Sequence, residues 1–88
     1  MDFEWDPAKA ATNRTKHGID FPAASRVFDD PRVLVQIDPR NYGGETRLRA
    51  IGRVEDQVIL VCYTMRGEIR RIISARRANR RERNAYSL

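Results

Sequence analysis

The chain has 88 residues, of which 17 are Lys or Arg and 12 are Asp or Glu, giving a formal net charge of +5. It contains neither an apolar run of about 18 residues nor a basic and apolar leader, which excludes a membrane-spanning helix and leads us to expect a cytoplasmic protein. Cys62 is the only cysteine, which excludes an intrachain disulfide and a cysteine-based metal site. We expect one domain over residues 1–88, without a cofactor.

The first thirty residues predict a short strand followed by two helices. Phe3-Glu4-Trp5 alternates as a strand does, and Asp6-Pro7 is typical of a helix start because the aspartate can cap free N–H groups. This helix is expected to end at Gly18. Asp20 is expected to cap a second helix, which Asp29-Asp30-Pro31 ends.

The remainder of the chain predicts four antiparallel strands and a terminal helix. The strands are expected over residues 33–37, 46–53, 58–64 and 69–75, with a loop over residues 38–45. Because residues 58–64 are apolar on both faces, that strand is expected at the centre of the sheet. Asn79, with Glu82 three residues later, has the pattern of a capping box at the start of a C-terminal helix. The fold is therefore predicted to be α+β.

Positive charge is concentrated in the second part of the chain. Residues 1–30 carry four basic and six acidic side chains, net −2, whereas residues 31–88 carry thirteen basic and six acidic side chains, net +7. Fifteen of the basic residues are arginine, whose planar fork binds phosphate in a bidentate manner. This distribution indicates either a solvated, arginine-rich surface or a polyanionic or acidic partner.

Seven stretches, in this order and over nearly the whole chain, resemble the BrnT family of toxins: Phe3-Glu4-Trp5-Asp6, Lys16-His17-Gly18-Ile19, Val27-Phe28-Asp29-Asp30-Pro31, Glu45-Thr46-Arg47, Ile51-Gly52, Tyr63-Thr64-Met65-Arg66 and Arg71-Ile72-Ile73-Ser74-Ala75-Arg76. The resemblance implies a RelE-like fold and a ribonuclease that inhibits translation. It also implies neutralisation by a BrnA-like antitoxin that binds DNA. The expected substrate is RNA, free or associated with the ribosome, and DNA would be contacted only through the antitoxin.

Cleaving RNA without a metal requires a base for the 2′-hydroxyl, cations for the phosphoryl oxygens and an acid for the leaving oxygen. The sequence has no acidic cluster with metal-ligand spacing, so a metal-independent mechanism is expected. The candidate catalytic residues are Lys16, His17, Glu45, Arg47, Arg66, Arg76 and Tyr86.

Two pairs of these candidates lie on the predicted strands. Arg66 and Arg76 end neighbouring strands and are expected to converge on the scissile phosphate, unless each forms a salt bridge or caps a carbonyl. Glu45 and Arg47 share a strand face, so an internal ion pair is expected unless Glu45 is a base.

The helical candidates have open alternatives. His17 either makes a structural contact at its helix end or transfers a proton, and Lys16 beside it is a candidate phosphate ligand. Tyr86 either packs in the core or stacks on a base. The loop before Glu45 departs from the family pattern, which often has a histidine there, so the proton-transfer residue stays open.

Five further arginines are expected to bind RNA: Arg70, Arg71, Arg80, Arg81 and Arg83. Arg70 and Arg71 are adjacent on one strand, so at most one of them faces a given groove.

Two other classes of protein remain open. One is a non-catalytic, DNA-binding regulator that acts with a partner protein, although the arginines do not fall on a helix-turn-helix pair. The other is a structural interaction protein.

Overall fold

The computed structural model describes residues 2–40 and 44–87, so residues 41–43 of the predicted loop lie outside the described residues. The described elements, in chain order, are β1 (Phe3–Trp5), α1 (Pro7–His17), α2 (Phe21–Ser25), a 3₁₀ helix (Arg26–Asp29), β2 (Leu34–Ile37), β3 (Leu48–Val54), β4 (Gln57–Arg66), β5 (Ile69–Arg77) and α3 (Arg80–Ser87).

The strands form one mixed sheet in the order β1-β5-β4-β3-β2. The predicted antiparallel meander is present as β2 to β5, and β4 lies at the centre as expected. The prediction of a four-stranded antiparallel sheet is wrong because β1 adds a fifth strand, which runs parallel to β5. Such parallel pairing requires a long crossover connection, and α1 and α2 lie within the segment that separates β1 from the other strands.

The helix boundaries follow the predicted caps. The carboxylate of Asp6 accepts a hydrogen bond from the N–H of Ala8 at 2.8 Å, and that of Asp20 accepts one from the N–H of Ala23 at 2.8 Å. Helix α1 ends at Gly18, whose φ of 72° is left-handed and therefore favours glycine. These caps depend on side chains within a few residues of each helix end, which is why the sequence predicts them.

The predicted second helix is divided in two. It is α-helical as far as Ser25 and continues as the 3₁₀ helix, which packs against β3. A Cβ atom at Gly52 would lie 2.9 Å from the carbonyl oxygen of Val27, closer than packed atoms approach. Glycine at position 52 thus allows the 3₁₀ helix to lie directly on the sheet.

Each face of the sheet has its own apolar cluster. The cluster on the face covered by α1, α2 and the 3₁₀ helix includes Phe21, Val27, Val61 and Ile72, all essentially inaccessible to solvent. On the opposite face, a smaller cluster lies between α3 and the sheet: Ile51, Leu60, Cys62, Ala78 and Tyr86. In the described ranges, no helix has the length and apolar character needed to cross a membrane.

Asn13 connects α1 to the edge of β5 in the manner of a neighbouring strand. Its amide nitrogen donates to the carbonyl of Ala75 at 2.9 Å, and its amide oxygen accepts from the N–H of Ala75 at 3.0 Å. The same nitrogen donates to the carbonyl of Ile19 at 3.0 Å. Because β1 pairs only with residues 70–72, this buried side chain satisfies a peptide group of β5 beyond the end of β1.

Candidate functional site

The sheet face that α3 packs against carries a group of polar side chains beyond the apolar cluster. Strand pairing sets Arg49 opposite Cys62 and Cys62 opposite Ser74, so these three residues form a row across β3, β4 and β5. Neighbouring rows on this face contribute Thr64 with Arg71, and Arg76 opposite Leu60. We call the polar members of this group the polar face: Arg49, Thr64, Arg71, Ser74 and Arg76.

Two arginines of the polar face are held by one buried carboxylate on α3. Glu82 accepts hydrogen bonds from Arg76 at 2.8 and 2.9 Å and from Arg49 at 2.6 Å. Burial acts to raise the pKa of Glu82, but the hydrogen bonds from Arg76 and Asn79 and the charges of Arg76 and Arg49 outweigh it, so the pKa lies below its ordinary value. The hydrogen bond to Glu82 raises the pKa of Arg76. Both guanidinium groups are therefore held by the same carboxylate.

Arg66 and Arg76 do not converge, and this prediction is wrong. Arg76 is paired with Leu60, whereas Arg66 is paired with Ile69 at the other end of β4. Leu60 and Arg66 are six positions apart along β4, which corresponds to a distance of about 20 Å. Arg76 instead comes together with Arg49, and it has both of the alternative contacts expected for it: the salt bridge to Glu82 and a hydrogen bond to the carbonyl of Arg77 at 3.2 Å.

Glu45 lies near Arg66 across the sheet, with 3.7 Å between a carboxylate oxygen and Nε of Arg66. Both side chains are about half exposed, so the interaction is weak. Arg47 is half-buried and directly precedes β3, and its carbonyl accepts a hydrogen bond from the N–H of Asp38 at 2.9 Å. These residues belong to the end of the sheet that is distant from Arg76.

Arg70 and Arg71 lie on opposite faces, as strand alternation predicts. Arg71 is on the polar face and forms an ion pair with Glu4 at 2.8 Å. Arg70 is on the face covered by the N-terminal helices, where its guanidinium lies 4.1 Å from the centre of the Phe28 ring. This cation–π contact directs Arg70 away from the polar face.

Lys16 and His17 border a groove between α1 and β5. The groove has a volume of about 320 Å³ and is also lined by Ile73 and Ser74. Both Lys16 and His17 are exposed to solvent. Since Ser74 belongs to the polar face as well, the groove adjoins that face at the edge of β5. His17 thus lines a groove that shares Ser74 with the polar face.

Tyr86 lies on the buried side of α3, and its hydroxyl donates to the carboxylate of Asp30. This hydrogen bond, together with burial, raises the pKa of Tyr86. The same carboxylate accepts hydrogen bonds from the N–H groups of Arg53 at 2.7 Å and Arg32 at 2.9 Å. Tyr86 therefore links α3 to the loop before β2 and to β3.

The remaining predicted arginines lie on α3. Arg80, Arg81 and Arg83 are exposed, and Arg83 donates to the carbonyl of Ala78 at 2.8 Å. In the part of the chain that the structure describes, no three His, Cys, Asp or Glu side chains are grouped as metal ligands.

Sequence reasoning missed two features of the polar face. Arg49 is one of several arginines that alternate along β3, and nothing local distinguishes it from Arg47 or Arg53. The sequence pattern predicts Glu82 only as a helix cap, although its carboxylate also binds two arginines. The sequence does contain a relevant pattern, because Glu82 is a single acidic residue in an arginine-rich segment and lies six positions after Arg76. Such a residue is expected to form ion pairs.

The fold and the polar face define a small α+β protein that presents clustered arginines on one side of a sheet, an arrangement suited to a polyanion. A comparison with known families matches residues 5–82 to the family described as the ribonuclease toxin BrnT of type II toxin–antitoxin systems. The match covers most of the chain, which therefore belongs to the BrnT family. Membership implies a ribonuclease toxin with an antitoxin partner. A comparison with curated proteins found no match.

Proposed function

We propose that this protein is a metal-independent endoribonuclease of the cytoplasm that inhibits translation until a BrnA-like antitoxin neutralises it. The observation that carries the proposal is the cationic polar face, with Arg49 and Arg76 fixed by Glu82 beside a groove that contains Lys16 and His17. The antiparallel meander behind N-terminal helices also supports a RelE-like architecture. RNA would lie across the polar face, and DNA would be contacted only through the antitoxin.

The proposed reaction is transfer of a phosphoryl group within the RNA chain. The 2′-oxygen gives its proton to a base and forms a bond to the adjacent phosphorus, while the bond from phosphorus to the 5′-oxygen breaks and that oxygen gains a proton. The products are a 2′,3′-cyclic phosphate and a 5′-hydroxyl. Arg76 and Arg49 would stabilise the charge on the phosphoryl oxygens.

Proton transfer is assigned to the groove at the edge of β5. His17 is exposed there, and its two ring nitrogens can accept and donate a proton. Lys16 beside it would bind a phosphate group. Glu45, Arg47 and Arg66, at the far end of the sheet, would contact the RNA away from the reacting phosphate.

The exposed arginines of α3 would make phosphate contacts that do not depend on sequence. Arg80 and Arg81 project from a short helix, so removing either is expected to reduce the salt dependence of RNA binding by about one unit of slope. Arg71 would add a contact on the polar face, whereas the position of Arg70 against Phe28 argues for a structural role.

Expression in bacteria tests this function. Induction of the chain alone should stop growth and degrade RNA, and co-expression of a cognate antitoxin should restore growth. The variant His17→Ala, produced at the same level, should be much less toxic because the proton-transfer residue is lost. Normal growth at high levels of folded wild-type protein would contradict the proposal. Sequence-specific DNA binding by the isolated chain, without RNA cleavage, would favour a regulator instead.

A further inference from the structure

Glu82 uses both carboxylate oxygens to bind groups from three parts of the chain. One oxygen accepts from Arg76 at 2.8 Å and from the N–H of Asn79 at 2.8 Å. The other accepts from Arg49 at 2.6 Å and from Arg76 at 2.9 Å. The Glu82 side chain is only 8% exposed, so it is shielded from water that would otherwise weaken these bonds. A helix cap alone requires only the contact with Asn79.

The two arginines come from strands that are not neighbours. Arg49 is on β3 and Arg76 is on β5, with β4 between them, so their backbones are about 10 Å apart across the sheet. Like charges on flexible side chains would separate in the absence of a shared anion. Glu82 supplies that anion and draws both guanidinium groups to the same place.

The arginines keep part of their surface accessible to solvent. Arg76 is 38% exposed and Arg49 is 23% exposed, compared with 8% for the carboxylate that holds them. A guanidinium has five N–H donors, and Arg76 uses three hydrogen bonds for Glu82 and the carbonyl of Arg77. Donors of Arg76 therefore remain available for a ligand.

We propose that Glu82 is a positioning residue that holds Arg49 and Arg76 as one binding unit for a single phosphate group of RNA. The inference rests on the proposed ribonuclease function and adds Arg49 to its phosphate-binding residues. Glu82 itself would not contact the substrate. Its effect on cleavage would arise because a misplaced charge donor stabilises the transition state poorly.

The variant Glu82→Gln tests this role, with Glu68→Gln as the matched control. Both changes remove one negative charge, but Glu68 is exposed in the turn between β4 and β5. We expect Glu82→Gln to cleave RNA about 10²-fold more slowly than Glu68→Gln. RNA affinity should be similar in the two variants, because they have the same net charge. Equal cleavage rates in two folded variants would overturn the proposal.

Arg49→Lys, Arg76→Lys and the double variant provide a second test that leaves Glu82 in place. If the arginines act as one unit, the double variant should cleave about as slowly as the slower single variant. Losses that multiply would show that the two residues act independently and would overturn the proposal.

A test that does not depend on cleavage uses 2′-O-methyl RNA, in which the 2′-oxygen carries a methyl group and cannot attack the phosphorus. In wild-type protein, the Nε–H NMR signals of Arg49 and Arg76 should shift together as this RNA is added. In Glu82→Gln they should no longer shift together. If wild-type protein shows the joint shift but cleaves no RNA, the proposed function fails and the inference about Glu82 stands. If neither signal shifts, the inference fails.

Discussion

Tyr86 and Arg70 show that side chains suited to RNA binding can instead have internal roles. Tyr86 is 7% exposed and donates to Asp30, and the guanidinium of Arg70 lies over the ring of Phe28. Stacking on a base would require either side chain to leave these contacts. The geometry therefore favours structural roles for both residues, whereas Arg76 on the polar face keeps 38% of its side chain exposed and His17 is exposed in the groove.

Replacing Tyr86 by phenylalanine tests this distinction. The change keeps the ring but removes the hydrogen bond to Asp30, so the free energy of unfolding should fall by about 1–2 kcal/mol. Cleavage by the folded variant should equal that of wild type. Urea denaturation and single-turnover cleavage measure the two effects, with Ser87→Ala on the exposed side of α3 as the control. A large loss of cleavage without a loss of stability would show that Tyr86 is catalytic.

Among the secondary-structure elements, the sequence predicts helix caps well and the pairing of distant strands poorly. Asp6, Asp20 and the Asn79–Glu82 capping box were predictable because each contact joins residues at most three apart. The parallel pairing of β1 with β5 was not, because it joins residues 67 positions apart. The separation of Arg66 from Arg76 follows from the β4–β5 register, which strand pattern alone does not provide.

The contact between α1 and β5 depends on Asn13. Changing Asn13 to alanine removes three hydrogen bonds and leaves the buried N–H and carbonyl of Ala75 without this partner. We expect the free energy of unfolding to decrease by about 2–4 kcal/mol. Urea denaturation measures the loss, and Thr15→Ala on the exposed side of the same helix is the control. Equal stability of the two variants would show that Asn13 contributes little.

For the whole molecule, the sequence predicted the elements and the electropositive part of the chain but not the arrangement of its charges. Strand alternation predicts that arginines lie on the sheet. Arg49 meets Arg76, however, only because α3 places Glu82 where both arginines can bind it. Other carboxylates also connect distant segments, as the half-buried Asp30 does between α3 and β3. These contacts depend on how helices pack on the sheet, which requires the complete fold.

Three carboxylates with lowered pKa values predict how stability depends on pH. Glu82, Asp38 and Asp30 all have pKa values lowered from ordinary values of 4.5, 3.8 and 3.8, respectively, because hydrogen bonds outweigh burial. The unfolded chain therefore binds protons at a higher pH than the folded protein does. The free energy of unfolding should decrease as pH falls below about 5 and continue to fall through the folded-state pKa values.

Urea denaturation at several pH values measures this dependence. Glu82→Gln should show a shallower decrease than wild type, because one of the three carboxyls is absent. Glu68→Gln, at an exposed turn, should retain the wild-type slope. Stability that is constant from pH 6 to pH 3 would contradict the role given to these ion pairs.

Single-turnover cleavage in excess EDTA tests whether the polar face cleaves RNA without a metal ion. Wild-type protein should cleave RNA under these conditions and leave 2′,3′-cyclic phosphate and 5′-hydroxyl ends. Arg76→Lys keeps the charge but loses the bidentate fork, so cleavage should fall about 10²- to 10³-fold. Arg26→Lys, which changes an exposed arginine near Glu55, should cleave as wild type does. Cleavage that requires added magnesium would show that the reaction depends on a metal ion. An Arg76→Lys variant as active as wild type would show that Arg76 does not stabilise the transition state.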